Sequence, residues 1–301
     1  MFYEKKKPSR ELEPFIECYW IMIFNNTTIR GIMPTANISV LFHKHDNVHY
    51  EILTKELVKK IDPNIDYLNN LCTKTDNTLN KAIIGPHKDL VLETSIGKAY
   101  TIGIEFKPGI RKTFFGNSID SIANTIIPNN DNITLNELGN IIFQVAPEEI
   151  FENIDQYLLN NYLPSIYTKI EDELIFDLIQ EATNNPFKIQ SKDLAEKYHL
   201  CQRQFDRIFK KSIGITAKQF LMSATASKIR SIMTDHLDYT LQDIVETCKF
   251  NELSELNYDL RQSGGLSAKQ IYDNIHNRIS LTPGLMCIND IAEGIKGIHL
   301  F

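Results

Sequence analysis

Residues 214–220 read GITAKQF, and residues 265–271 read GLSAKQI. Four positions are identical, and the other three exchange residues of the same kind. Each copy has a glycine, which tolerates the positive φ at a helix end, then a hydroxyl residue and, three residues later, glutamine. That order is typical of a helix C-cap followed by the capping box of the next helix. The repeat therefore predicts two copies of one helical unit.

Similar residues precede both heptamers. The first unit, DLAEKYHLCQRQFDRIFKKSIGITAKQF, starts at Asp193, and the second, DIVETCKFNELSELNYDLRQSGGLSAKQI, starts at Asp243. Each predicts a short helix (about 193–198 or 241–248), a tight turn and a second helix with apolar residues at helical spacing. The inward residues would be Leu194, Ala195, Phe205, Ile208 and Phe209 in the first unit, and Ile244, Val245, Leu253, Leu256 and Leu260 in the second. Gly214 and Gly265 are expected to end the second helices.

A helix, a tight turn and a second helix form the arrangement whose second helix enters the major groove of DNA. The alternative is a pair of small helical hairpins that only pack against each other. The charge pattern bears on this choice. The chain has a net charge of −6, but residues 187–233 hold ten basic and three acidic residues, whereas residues 234–275 hold three basic and eight acidic ones. A basic block in an acidic protein indicates a polyanion partner, with a solvated helix face as the alternative.

On these two stretches, residues 188–272 resemble the paired helix-turn-helix domain of the AraC family of bacterial transcription regulators. The resemblance implies a joining helix from about 217 to 233, which would hold the two recognition helices roughly 34 Å apart. It also implies double-stranded DNA and RNA polymerase as partners. A small-molecule effector and a second copy of the chain are further candidates. No cofactor, metal or membrane partner is expected.

The resemblance further implies which side chains face DNA. Arg203, Asp206 and Arg207 match positions that approach base edges, and arginine suits guanine while aspartate suits cytosine. Lys210 and Lys211 would meet phosphates. The complete set of expected DNA-contacting residues is Gln202, Arg203, Gln204, Asp206, Arg207, Lys210, Lys211, Ser254, Glu255, Tyr258 and Arg261.

The second unit departs from the family pattern. Its recognition face is acidic, with Glu252, Glu255 and Asp259. Further differences are His199 and Lys249 where glycine usually makes the turn, Ala268 for proline, Tyr272 for arginine, and Thr225 for arginine on the joining helix. A regulator that binds a ligand or another protein and has lost independent DNA binding is therefore the main alternative.

The N-terminal half reads as strands rich in aromatic and β-branched residues, at about 15–24, 37–43 and 100–106. Lys107-Pro108-Gly109 predicts a type II turn, followed by a short helix at 110–116. We therefore expect an α+β protein with a β-rich barrel or sandwich-like domain over residues 1–132 and a helical connector over 133–186. The paired units would occupy 187–276, and 277–301 would form an extension. The turn at 184–186 is the expected linker.

The same segments resemble a poorly characterised N-terminal domain found ahead of the paired units in many family members. Tyr19-Trp20, Met33-Pro34, Ile84-Gly85-Pro86 and the stretch IGIEFKPG at 102–109 carry this likeness. It implies a domain that senses a small molecule or mediates dimerisation.

Other features weigh against an enzyme or a metalloprotein. The five cysteines form no CxxC pair, which favours a reduced, cytoplasmic protein. No Gly-rich phosphate loop or nucleophile elbow occurs. His43, His45, His49 and Glu51 could form a metal site, but exposed histidines beside a polar turn are the simpler interpretation. An enzyme acting on a small metabolite in the β-rich domain is a third option without a catalytic constellation.

Overall fold

The structure, a computed structural model, describes residues 2–25, 28–44, 48–53, 81–109, 119–128, 133–162, 173–184, 186–187, 189–264, 266–276 and 285–286. Strands fill the N-terminal part and helices fill the part after residue 132, apart from a two-residue strand near the C-terminus. The predicted α+β class is confirmed.

Ten strands lie in the described residues. They are β1 (Phe2–Lys6), β2 (Ile16–Phe24), β3 (Thr28–Ile32), β4 (Ile38–His43), β5 (Val48–Leu53), β6 (Lys81–Ile84), β7 (Leu90–Ser95), β8 (Ala99–Phe106), β9 (Ile126–Pro128) and β10 (Leu285–Met286). They form a six-stranded sheet, ordered β1-β2-β8-β4-β6-β9, and a four-stranded sheet, ordered β10-β3-β7-β5. Neighbouring strands are antiparallel, and the described strands form a two-sheet arrangement without a closed barrel.

The helices before the first unit are α1 (Ile119–Ile122), α2 (Ile133–Gln144), α3 (Ile150–Asn161) and α4 (Glu173–Asn184). Side chains alternate across a strand, so one face of the six-stranded sheet presents Ile102, Ile104 and Phe106. These residues share a buried core with apolar residues of α2 and α3, such as Leu138 and Ile154. The helices therefore cover one face of this sheet.

The remaining helices form the two repeated units. They are α5 (Ser191–Lys197), α6 (Gln202–Ile213), α7 (Ala217–Asp235), α8 (Leu241–Thr247), α9 (Leu253–Gly264) and α10 (Ala268–His276). The joining helix α7 starts at the predicted residue and runs two residues past the predicted end. Both repeated units pack on it, since its Phe220 and Ile229 belong to two different buried clusters.

The N-terminal sheets contact both units directly. Met33, Leu90 and Leu92 are buried with the residues of the second unit, so the outer face of the four-stranded sheet packs there. Ala36 is buried with the first unit. The Ser223 hydroxyl of α7 donates a buried hydrogen bond to the Pro34 carbonyl, over 3.1 Å.

The predicted turn at Gly109, the linker and the C-terminal extension are only partly covered by the described residues. Gly109 has a φ of 82°, as a type II turn requires, but the helix predicted at 110–116 lies outside the described residues. Asn185 of the predicted linker is outside them too, and so is most of the extension. Of that extension, β10 pairs with β3. No helix among the described residues is long and apolar enough to cross a membrane.

Candidate nucleic-acid interface

The first unit is built around a buried small residue and a tight turn. Leu194 and Ala195 of α5 are buried, as the sequence predicts. The turn that follows places His199 at a φ of 56°. This left-handed conformation is the one that glycine adopts most easily. The turn geometry typical of a helix-turn-helix is therefore retained, although the residue is not glycine.

The second helix of the first unit, α6, has two distinct faces. Phe205, Phe209 and Ile213 are buried and line the core of the first unit. The opposite face exposes Arg203, Arg207, Lys210 and Lys211. Gly214 ends the helix with a φ of 86°, which confirms the predicted C-cap. The result is an exposed basic stripe on a helix whose other face is fixed.

Three polar residues of the expected DNA-contacting set bond within α6. Gln204 accepts a hydrogen bond from the backbone N–H of Cys201, the N-cap residue, over 3.3 Å. The Gln202 amide donates to the Asp206 carboxylate over 3.1 Å. Gln204 therefore stabilises the helix start, and the Gln202–Asp206 pair is held in place beside Arg207.

The helix start after the first unit follows the predicted capping box. Thr216 accepts from the backbone N–H of Gln219, and the Gln219 side chain accepts from the backbone N–H of Thr216. Ser267 and Gln270 make the same pair of bonds before α10. Both capping boxes are confirmed, while Gly265 lies outside the described residues.

The second unit repeats this geometry. Ile244 and Val245 of α8 are buried, and Lys249 occupies its turn with a φ of 60°. Leu256 and Leu260 of α9 are buried as predicted. The two units therefore share the same inward positions and the same left-handed turn.

One inward position was predicted wrongly. Leu253 has 36% of its surface exposed, because it is the first residue of α9 and precedes the part of the helix that packs against the core. Ser263 is buried at the other end of the helix. Tyr258, on the outer face, is 58% exposed.

The outer face of α9 is electrostatically unlike that of α6. Its exposed residues include Ser254, Glu255, Tyr258 and Arg261. Glu255 accepts from the backbone and side-chain N–H groups of Asn251, so its carboxylate stabilises the helix start. Burial, and then the nearby Glu255, raise the pKa of the Asp259 carboxyl. Acidic residues (Glu252, Glu255 and Asp259) outnumber the one arginine, Arg261, on and beside this face, and this excess disfavours phosphate.

The departures from the family pattern have structural roles. The Ala268 N–H donates to the Asn257 side chain over 2.7 Å, a bond that proline could not make. The Tyr272 hydroxyl donates to the Tyr239 carbonyl over 2.8 Å. The Thr225 hydroxyl donates to the Pro186 carbonyl over 3.2 Å, which fixes the entry into the first unit.

Two features were not foreseen from the sequence. A capping box of Thr240 with Asp243 starts α8, and the hydrogen bonds from Thr240 lower the pKa of the Asp243 carboxyl. The T-x-x-D pattern was a readable signal for it. His43 is buried rather than exposed, with its ring nitrogens 2.9 Å from the Thr101 hydroxyl and 3.0 Å from the Tyr50 hydroxyl. The expectation of an exposed histidine was wrong there.

The metal hypothesis gains no support from the described part of the chain, where no group of three potential ligands comes together. His45 lies outside that part. Cys18, Cys201 and Cys248 are free thiols.

Comparison with known proteins gives one family match and several structural likenesses. Residues 4–128 match a family model described as a domain of unknown function, DUF6597. No curated protein matches the chain.

The solved structures that resemble the chain include several of ToxT from Vibrio cholerae. The apo form of a ToxT point variant is 10% identical with a TM-score of 0.48, and the likeness covers 84% of this chain and 96% of that one. A second crystal form of ToxT is 9% identical with a TM-score of 0.47, covering 90% and 98%. ToxT bound to an unsaturated fatty acid is 9% identical with a TM-score of 0.44, covering 89% and 97%. These values are too low to transfer a ligand or a DNA target to this chain.

Proposed function

We propose that the chain is a sequence-specific DNA-binding transcription regulator of the AraC type, and not an enzyme. The observation that carries this proposal is the exposed basic stripe of α6, in a unit that the chain repeats with the same turn and caps. Arg203 and Arg207 would read base edges, and Lys210 and Lys211 would bind phosphates. The α9 face would contribute less, because its carboxylates repel the phosphate backbone.

The rest of the chain has regulatory roles in this proposal. Residues 1–132 would sense a small molecule or mediate dimerisation, and 133–186 would connect them to the DNA-binding residues 187–276. RNA polymerase would be a partner at the promoter, and the protein would act in the cytoplasm. The contacts of Met33, Leu90 and Ser223 across the two regions support a mechanical link between sensing and DNA binding.

The test is selection of bound fragments from genomic DNA, followed by affinity measurements on the selected sequence and on random duplex. We expect Arg207→Ala to weaken binding to the selected sequence by about 1–3 kcal/mol and to relax specificity at one base. Lys98→Ala removes the same charge from an exposed position between β7 and β8 and serves as the matched control. Equal losses of affinity for the selected sequence and for random duplex would contradict the base-reading role of Arg207.

A second candidate function is a regulator that works through a ligand or a protein partner without binding DNA itself. The negative face of α9 favours it. Absence of enriched fragments in the selection, with and without metabolites from a cell extract, would favour this candidate over the first.

A further inference from the structure

A polar cluster lies on the inner face of the six-stranded sheet. Glu105 is in β8, which runs between β2 and β4, and it pairs in register with Cys18 on one side and Ser39 on the other. The Trp20 indole N–H donates to one carboxylate oxygen of Glu105 over 3.1 Å. The Ser39 hydroxyl donates to the other over 2.8 Å. A carboxylate is thus fixed beside an aromatic ring.

The cluster faces the space between the two sheets. Ile104 and Phe106 point into the core under the helices, so Glu105, with the opposite parity, points to the other side. Trp20 packs against the cluster that contains Tyr50 and Val91 of the four-stranded sheet, which confirms the direction. Both Trp20 and Glu105 remain partly exposed, although they lie on strands that are flanked on both sides. Solvent therefore reaches part of this cluster.

The position of the Trp20 ring is specified by its neighbours. Gly103 pairs with Trp20 across β2 and β8, and a Cβ atom at Gly103 would overlap the indole. The ring therefore lies against the backbone of β8, and its N–H is directed at Glu105. Because ring and carboxylate are fixed relative to each other, they present a preformed surface.

The electrostatics of this surface favour a positive group. Burial raises the pKa of the Glu105 carboxyl, and the hydrogen bonds from Ser39 and Trp20 oppose that rise. Burial, and then the charge of Glu105, raise the pKa of the Cys18 thiol to about 12. Within the described part of the chain, the positive group that acts on Glu105 is Lys5, which is exposed on the edge strand β1. A cation entering the cluster would therefore meet a carboxylate without a buried counter-ion.

We propose that this cluster binds a small organic cation, with an amine, guanidinium or quaternary ammonium group that contacts the Glu105 carboxylate and lies against the face of the Trp20 ring. Aromatic faces attract cations through the ring quadrupole, most strongly for tryptophan, and the attraction grows when the cation is desolvated. The inference rests on the proposed function for its regulatory meaning, in which the cation is the effector.

The chain contains one tryptophan, so Trp20 emission reports directly on the cluster. The experiment titrates the full chain, without DNA, with spermidine, arginine, choline, glucose and oleate. We expect a saturable change in emission with at least one of the three cations and none with glucose or oleate. Glu105→Gln should weaken that binding at least about tenfold, because a hydrogen bond to a charged group is lost. Glu13→Gln removes an exposed carboxylate from the turn before β2, the strand that carries Trp20, and should leave the binding unchanged.

A response to glucose or oleate alone, no response to any of the five probes, or an equal response of Glu105→Gln would overturn the proposal. Should Glu105→Gln not fold, Ser39→Ala removes one hydrogen bond to the carboxylate, and we expect it to weaken binding about threefold. Unchanged binding in that variant would equally count against the cluster. The readout involves no DNA, so a chain that binds a cation but selects no genomic fragment would refute the proposed function and leave this inference standing.

Discussion

Gly214 is the point at which the end of helix α6 meets the N-terminal region. A Cβ atom at this position would lie 2.7 Å from Cγ2 of Ile119 and 2.8 Å from Cβ of Ala123, in and just after α1. Its φ of 86° adds a second penalty for any other residue. Gly214→Ala therefore tests a contact between the two halves of the chain.

The two penalties can be separated by a matched variant. Left-handed backbone costs an alanine about 1–2 kcal/mol relative to glycine. Gly97 has a φ of 76° with no atom within 4 Å of its added Cβ, so Gly97→Ala should show this cost alone. Forcing a methyl group into a packed site costs a further 1–3 kcal/mol or so. We therefore expect Gly214→Ala to lose about 2–5 kcal/mol of unfolding free energy.

The assay is urea unfolding of the full chain, arranged as a double-mutant cycle with Ile119→Ala. Ile119→Ala removes one of the two clashing atoms and leaves Ala123, so we expect a coupling energy of about 1 kcal/mol between the two changes. Equal losses in Gly214→Ala and Gly97→Ala, with a coupling energy below about 0.5 kcal/mol, would refute the contact between α1 and α6.

Two further predictions concern the buried guanidinium of Arg230 and the left-handed backbone conformation of His199. Arg230 of α7 has a buried Nη1 that finds no hydrogen-bond partner among the residues that the structure describes, and burial lowers the pKa of Arg230 to about 10. Arg230→Met should therefore raise the unfolding free energy by about 1–3 kcal/mol in urea titrations. The exposed control Lys228→Met should not raise it. A lower unfolding free energy in Arg230→Met would mean that the guanidinium is paired. His199→Gly should stabilise the chain by about 0.5–1 kcal/mol because its φ is positive. His236→Gly, at a φ of −126°, should not stabilise it, and equal effects would refute the strain at His199.

The repeated units were predictable because their signals are local. Gly214, the capping box at Thr216 and the apolar spacing of Phe205 and Phe209 each act within a few residues, and all were confirmed. Leu253 was misjudged because periodicity does not show where a helix begins relative to its core.

The N-terminal region was predictable only in part, because its order depends on contacts between distant residues. Strand positions could be read from composition, whereas the order of the two sheets could not. Gly85 shows the limit: the sequence marks it as part of a family likeness, but does not show that a Cβ there would overlap the Ile122 carbonyl of α1. The burial of His43 likewise depends on Thr101, 58 positions further along the chain.

The N-terminal region contacts both repeated units on faces other than the basic stripe of α6. The segment around Pro34 bonds to α7, while Met33 and Leu92 enter the core of the second unit. α1 meets the end of α6 from another side. These contacts lie on the buried faces of the units, and the basic stripe of α6, with Arg207, stays exposed. Under the proposed function, a ligand in the N-terminal region would therefore change DNA binding by shifting one unit relative to the other, rather than by covering or uncovering the stripe.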